Sequence, residues 1–71
     1  MSKNEKLTFE CIEIKRTKAA ILVAFKNNKD NDEWWLPLSQ VDVDSSGGDY
    51  VTVIIPEWLC HKENIDTEWS K

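Results

Sequence analysis

Residues 18–26 read KAAILVAFK, and neither alternation of this run is polar. As a strand it places Ile21, Val23 and Phe25 on one side and Ala20, Leu22 and Ala24 on the other. Its alanines and leucine would also suit a helix, but its short length, β-branched residues and strand-like neighbours favour a central strand. The stretch EWWLPLSQV at 33–41 makes the same demand, because adjacent tryptophans in a strand point to opposite faces. A chain of 71 residues has room for one small core. A sheet that is apolar on both faces must therefore curl on itself or pair with another copy.

The flanking segments define the rest of the fold. LTFECIEIK at 7–15 opens with Leu7, Phe9 and Cys11 on one face, then shifts phase to Ile12 and Ile14. Such a shift predicts a bulge or a strong bend. Arg16 and Thr17 form a tight connection, NNKDND at 27–32 a polar loop, and DVDSSGGD at 42–49 another loop with Gly47 and Gly48. YVTVII at 50–55 alternates cleanly as a strand. Pro56 suits the first position of a two-turn helix, PEWLCHKE, whose Trp58 and Leu59 fold back on the sheet. Asn64 supplies a left-handed stop with Ile65 as its apolar contact, and DTEWSK is loosely held unless Trp69 docks. The expectation is a mainly β, α+β fold of order β-β-β-β-α. It comprises a four-stranded, antiparallel, strongly curved, barrel-like meander and a short C-terminal helix. Residues 1–71 form one domain, ordered over about 6–65.

Hydrophobic residues at 41% and charged residues at 31% suit a folded domain. No apolar run approaches the roughly 18 residues of a membrane span, and MSKNEKL lacks the apolar stretch of a signal peptide. A cytoplasmic protein without a membrane partner is expected. Cys11 and Cys60 then read as reduced, buried thiols. His61 beside Cys60 lacks the four spaced ligands of a zinc site, so no metal and no cofactor are expected. No phosphate loop, nucleophile pair or carboxylate cleft is visible, so no catalytic residue is assigned and the chain is not read as an enzyme.

The formal charge of −4 is unevenly distributed. Residues 1–29 carry Lys3, Lys6, Lys15, Arg16, Lys18, Lys26 and Lys29 against Glu5, Glu10 and Glu13, whereas residues 30–71 are dominated by acids. On a sequential meander, the basic turn at Lys15, Arg16 and Lys18 meets Asp42, Asp44 and Asp49 at one end. Asp30, Asp32, Glu33 and Glu57 gather at the other. That second cluster is either a contact surface or a set of solvated loop ends.

Strand parity groups Trp34 with Leu36 and Leu38, and Trp35 with Pro37, Ser39 and Val41. Hydrophobicity turns the first set inward, although a phase change at Pro37 would bring Trp35 in instead. The outer tryptophan either packs under the C-terminal helix or anchors a partner. The stretches WLPLS (35–39) and IPEWL (55–59) resemble small bacteriophage and prophage proteins with a Trp-aliphatic-Pro-x-Ser strand and a Pro-x-Trp helix. Those proteins often carry a lysine before the serine, where this chain has Leu38. The resemblance implies a mobile-element origin in a bacterial host and no particular activity.

Two binding functions from different classes follow. In the first, the chain inhibits a host protein with a basic, nucleic-acid-binding surface, in an anti-CRISPR or other anti-defence role. Asp30, Asp32, Glu33, Asp42, Asp44 and Asp49 would supply charge and Trp34 or Trp35 the anchor. In the second, Lys15, Arg16, Lys18 and Lys26 contact the phosphates of a single-stranded nucleic acid while tryptophans stack on bases. A homodimer is compatible with either.

Overall fold

Each apolar alternation in the sequence becomes a strand, and one further strand forms where alternation is weakest. The computed structural model describes residues 5–30 and 32–70, so Lys3 lies outside the described residues. Strand β1 spans Lys6–Arg16, β2 Ala20–Phe25, β3 Glu33–Pro37, β4 Asp42–Gly47 and β5 Tyr50–Pro56. Helix α1 covers Glu57–Lys62, and a single 3-10 turn covers Thr67–Trp69. The strands form one antiparallel sheet in the order β3-β2-β1-β5-β4.

Two features correct the sequence reading. The sheet has five strands rather than four, because DVDSSG is β4 and not a loop. Its composition disfavours a strand, but Asp42, Asp44 and Val43 pair in order with Ile54, Thr52 and Val53 of β5. An edge strand is paired on one side only, and there a confident neighbour can hold a polar segment. Gly47 (φ 118°) and Gly48 (φ 60°) supply the positive dihedrals of the β4–β5 hairpin. The second correction is the order. Strand β5 returns to β1 along Lys6–Ile12, which makes β1 central and leaves β3 and β4 as the edges.

The registers require this sheet to curl. Pro37 ends β3 opposite Ala20, near the β1–β2 hairpin, whereas Asp42 starts β4 level with Ile54 and Thr8. In a flat sheet these two residues would lie roughly 30 Å apart. The chain from Pro37 to Asp42 reaches at most about 18 Å even when fully extended. Here it is not extended, because the Leu38 N–H donates to Ala19 O (2.9 Å) and the Gln40 N–H to Pro37 O (3.0 Å). The two edges are therefore drawn toward each other, although no ladder joins them and the sheet is not a closed barrel.

The inside of the curl is the core. Phe9, Cys11, Ile21, Val23, Leu36, Val53 and Ile55 are fully buried there, far more surface than α1 alone could cover. The expected irregularity in β1 falls at Ile14, between Glu13 and Lys15, rather than at Cys11. Ile12 faces outward by ordinary alternation, opposite Ala24 and Tyr50.

The C-terminal segment finishes the fold. Pro56 is extended (φ −60°, ψ 142°), so the helix starts one residue later than expected. Asn64 takes the left-handed conformation (φ 60°), and the Ile65 and Asn64 N–H groups donate to Cys60 O (2.8 Å) and His61 O (3.4 Å). This paired return satisfies two carbonyls of the last turn and buries Ile65. Trp58, expected to fold back, is exposed, while Leu59 and Cys60 turn inward. Trp69 docks with its ring 5.5 Å from Phe25 and 5.6 Å from Trp34. Beyond it, Ser70 bridges Phe9 below the end of β2.

Cys11 and Cys60 are unpaired and buried. Burial pushes the Cys11 thiol up to about 12. Burial, and secondarily the charge of Glu57, pushes Cys60 up to about 11. Both folded values lie above the ordinary 9.0, so their contribution to stability is complete below pH 9 and lost as pH rises through 11 to 12. Iodoacetamide at pH 8 is expected to leave both thiols unlabelled in the native protein and to label both in denaturant, as read by intact mass. Labelling of the native chain at the rate of a free thiol would contradict their placement.

Candidate functional site

The outer face of the sheet can be read row by row from the strand registers. One row runs Trp35–Leu22–Lys15 across β3, β2 and β1. The next runs Glu33–Ala24–Ile12–Tyr50 across β3, β2, β1 and β5. Below these lie Glu10–Thr52–Asp44 and then Thr8–Ile54–Asp42. Nothing in the described fold covers the two apolar rows. Trp35 is 47% exposed, Tyr50 55% and Ile12 36%, and Ile14 in the adjacent bulge is 45% exposed.

The adjacent tryptophans are thus divided by strand parity. Trp34 turns inward, where its indole N–H donates to Glu63 O (2.9 Å) at the end of α1. Its ring meets Phe25 edge-on at 5.2 Å. Trp34 therefore holds the C-terminal segment to the sheet and is removed from the candidate partner contacts. No phase change occurs at Pro37, and Trp35 stays outside.

The expected acidic residues do not converge. Asp30 and Asp32 lie exposed in the β2–β3 loop with Glu33 at the start of β3, and the Asp30 N–H is held by the Asn28 side-chain oxygen (3.0 Å). Asp42 and Asp44 lie on β4, the edge strand opposite β3 in the sheet order, and Asp49 sits in the β4–β5 hairpin, where its carbonyl accepts from the Glu13 N–H (2.8 Å). The expected meeting of Asp42 and Asp44 with the basic turn does not occur, because β4 pairs level with the opposite half of β1. Asp42 instead lies 3.8 Å from Lys6, an exposed pair of little energetic weight.

Among the expected basic residues, Lys15 faces outward beside Leu22, and Lys18 lies exposed in the β1–β2 turn. Arg16 is exposed, pairs with Ile21 on the other parity and binds Glu13 at 2.8 Å. The Lys26 Nζ sits 5.6 Å from the centre of the Tyr50 ring, a favourable cation–π position.

Ile12, Ile14, Leu22 and Tyr50 belong to this face and were not among the expected site residues. Their signal was the second apolar alternation in β1 and β2, which implied a face that a single helix could not cover. Among the described residues there is no cluster of three or more potential metal ligands, and no helix is long and apolar enough to cross a membrane. Comparison with protein-family models, curated proteins and solved structures gives no match.

Proposed function

We propose that the chain is a non-enzymatic binding protein that docks another protein on its outer sheet face, with Trp35 as the anchor. The observation that carries this reading is the pair of uncovered apolar rows formed by Trp35 and Leu22 and by Ile12 and Tyr50. An exposed Trp and Tyr beside aliphatic neighbours form the chemistry of a protein hot spot. Asp42, Asp44 and Glu10 border the rows on one side, which suits a partner with Lys or Arg beside its own apolar contact. In the phage-type form of the proposal, that partner is a basic, nucleic-acid-binding host protein, and docking inhibits it in the bacterial cytoplasm. The small size and acidity of the chain support this form.

The test compares proteins captured from a bacterial lysate by the wild-type chain and by two variants. Trp35→Ala is expected to weaken specific capture about thirtyfold, the loss typical of a hot-spot aromatic. Asp42→Lys with Asp44→Lys is expected to weaken it as well. Identical captured sets from all three chains would sink the proposal.

A second reading has one specific observation in its favour: Lys15 and Lys26 share the outer face with Trp35 and Tyr50. Aromatics bordered by cations can stack bases and hold phosphates. Four carboxylates on the same face, Glu10, Glu33, Asp42 and Asp44, oppose it. Low-salt titration with a fluorescent single-stranded oligonucleotide separates the two. No binding is expected; salt-sensitive binding lost in Lys15→Glu with Lys18→Glu would replace the protein-docking reading.

A further inference from the structure

The backbone hydrogen bonds of the sheet fix which groups its edges present. The Leu38 N–H donates to Ala19 O (2.9 Å), so the Ala19–Leu38 level of the β2–β3 ladder is a bonded one. Bonded levels recur at every second pair of an antiparallel ladder, which makes Ile21–Leu36 and Val23–Trp34 bonded as well. At the levels between, the backbone of β2 turns to β1. Ala20 thus gives its carbonyl to the Thr17 N–H (2.8 Å), and Pro37 opposite it has no N–H to place. Glu33 and Trp35 share the phase of Pro37, so their N–H and C=O groups point away from β2 into the open edge. Both residues are exposed, and no ladder lies beside them.

The other edge offers less. The Glu57 N–H donates to Glu5 O (2.8 Å), which by the same alternation turns Val43 and Ser45 of β4 outward. A strand laid there would meet only Asp42 and Asp44 on the outer face, where exposed ion pairs add little. A register shift between Ser45 and Gly47 also breaks the edge. At β3 the outward groups flank Trp35, whose half-exposed ring can pack on a cross-strand neighbour.

We propose that the β3 edge is a strand-addition site, where an extended segment of another protein pairs antiparallel with Glu33–Trp35. Donors and acceptors repeated at every second residue are matched by another backbone. The segment carries an apolar side chain across from Trp35 and, two residues later, a cation across from Glu33. Exposed Asp32 extends the negative end, while Asp30 and Lys29 behind it offset each other. Pro37 ends the run, because it offers a carbonyl without a donor. The inference rests on the reading of Trp35 as a docking anchor and states how the partner's backbone is held beside it.

Nuclear magnetic resonance of the full chain tests this with the capped peptide Ser-Thr-Ile-Val-Arg-Lys-Ser. In the free chain, the Trp34 and Leu36 amides are expected to exchange slowly with deuterium and those of Glu33 and Trp35 quickly. Millimolar peptide is expected to shift and protect the Glu33 and Trp35 amides, with Ile facing Trp35 and Arg facing Glu33. N-methylation of the peptide's Ile is expected to weaken binding about tenfold or more, whereas N-methylation of its Val, whose N–H points away, has little effect. Equal effects of the two methylations, or shifts at Val43 and Ser45 instead, would overturn strand addition at β3. So would protection of Glu33 and Trp35 that rises with protein concentration alone, which would make the occupant a second copy. No response at these amides also overturns it. In that case Trp35-dependent capture of another protein would leave the outer docking face standing, and its absence would remove both.

Discussion

Trp34→Ala is expected to cost about 3 kcal/mol of stability, and Trp35→Ala less than about 1 kcal/mol, although the two residues are neighbours in sequence. Trp34 contributes ring contacts to Phe25 and Trp69 and a hydrogen bond to Glu63 O, so its loss opens a gap and detaches the end of α1. Trp35 is about half exposed and packs beside Leu22 on the outside. A domain of this size has roughly 4–11 kcal/mol in total, so the first variant sits near the limit of folding. In thermal terms the Trp34→Ala loss corresponds to a fall of about 12–24 °C in Tm. Trp34→Phe separates the two contributions. It keeps most of the ring contact, leaves the Glu63 carbonyl without its donor, and is expected to cost about 1 kcal/mol. Urea unfolding followed by circular dichroism measures all three. Equal losses from Trp34→Ala and Trp35→Ala would contradict the division of the two rings between the faces.

The division itself was legible in the sequence, because period-two alternation assigns Trp34 to the same side as Leu36. The same logic grouped Ile21, Val23 and Phe25 on one face of β2, without saying that this is the face the fold buries, and Asn64 announced the end of α1 because few other residues accept its positive φ. Strand β4 was not legible. DVDSSG carries one apolar residue, and what makes it a strand is the ladder to β5, a tertiary fact absent from its local composition. The return of β5 to β1 was hidden for the same reason, since short links favour sequential neighbours but do not forbid closure around them. That return is also what scattered the expected charge clusters. Once β1 is central, Asp42 and Asp44 lie across the sheet from the basic hairpin rather than beside it. The apolar outer face was implied by the doubled alternation, but its composition depended on which strands lie side by side. Only the registers bring Trp35, Leu22, Ile12 and Tyr50 into adjoining rows.

Phe9→Ala is expected to be the most damaging single substitution, with a loss of about 4 kcal/mol. Phe9 is fully buried on the central strand, paired with Val53 on one side and bridged to Ser70 on the other. Its ring meets Phe25 edge-on at 5.2 Å, and Phe25 in turn contacts Trp34 and Trp69. One aromatic chain thus ties β1, β2, β3 and the C-terminal segment together. The curl makes the vacancy hard to close, because the short connection from Pro37 to Asp42 holds the sheet edges and limits how far the walls can move inward. The cavity contribution should therefore stay near the upper part of its usual range, whereas Phe9→Leu, which keeps most of the volume, should cost about 1–2 kcal/mol. Near-UV circular dichroism provides a second readout, since loosening of the Phe25, Trp34 and Trp69 contacts would flatten the tryptophan signal in the alanine variant. If Phe9→Ala instead costs no more than a surface change, with that signal intact, then the core does not lie within a curled sheet and the rows assigned to its outer face lose their basis.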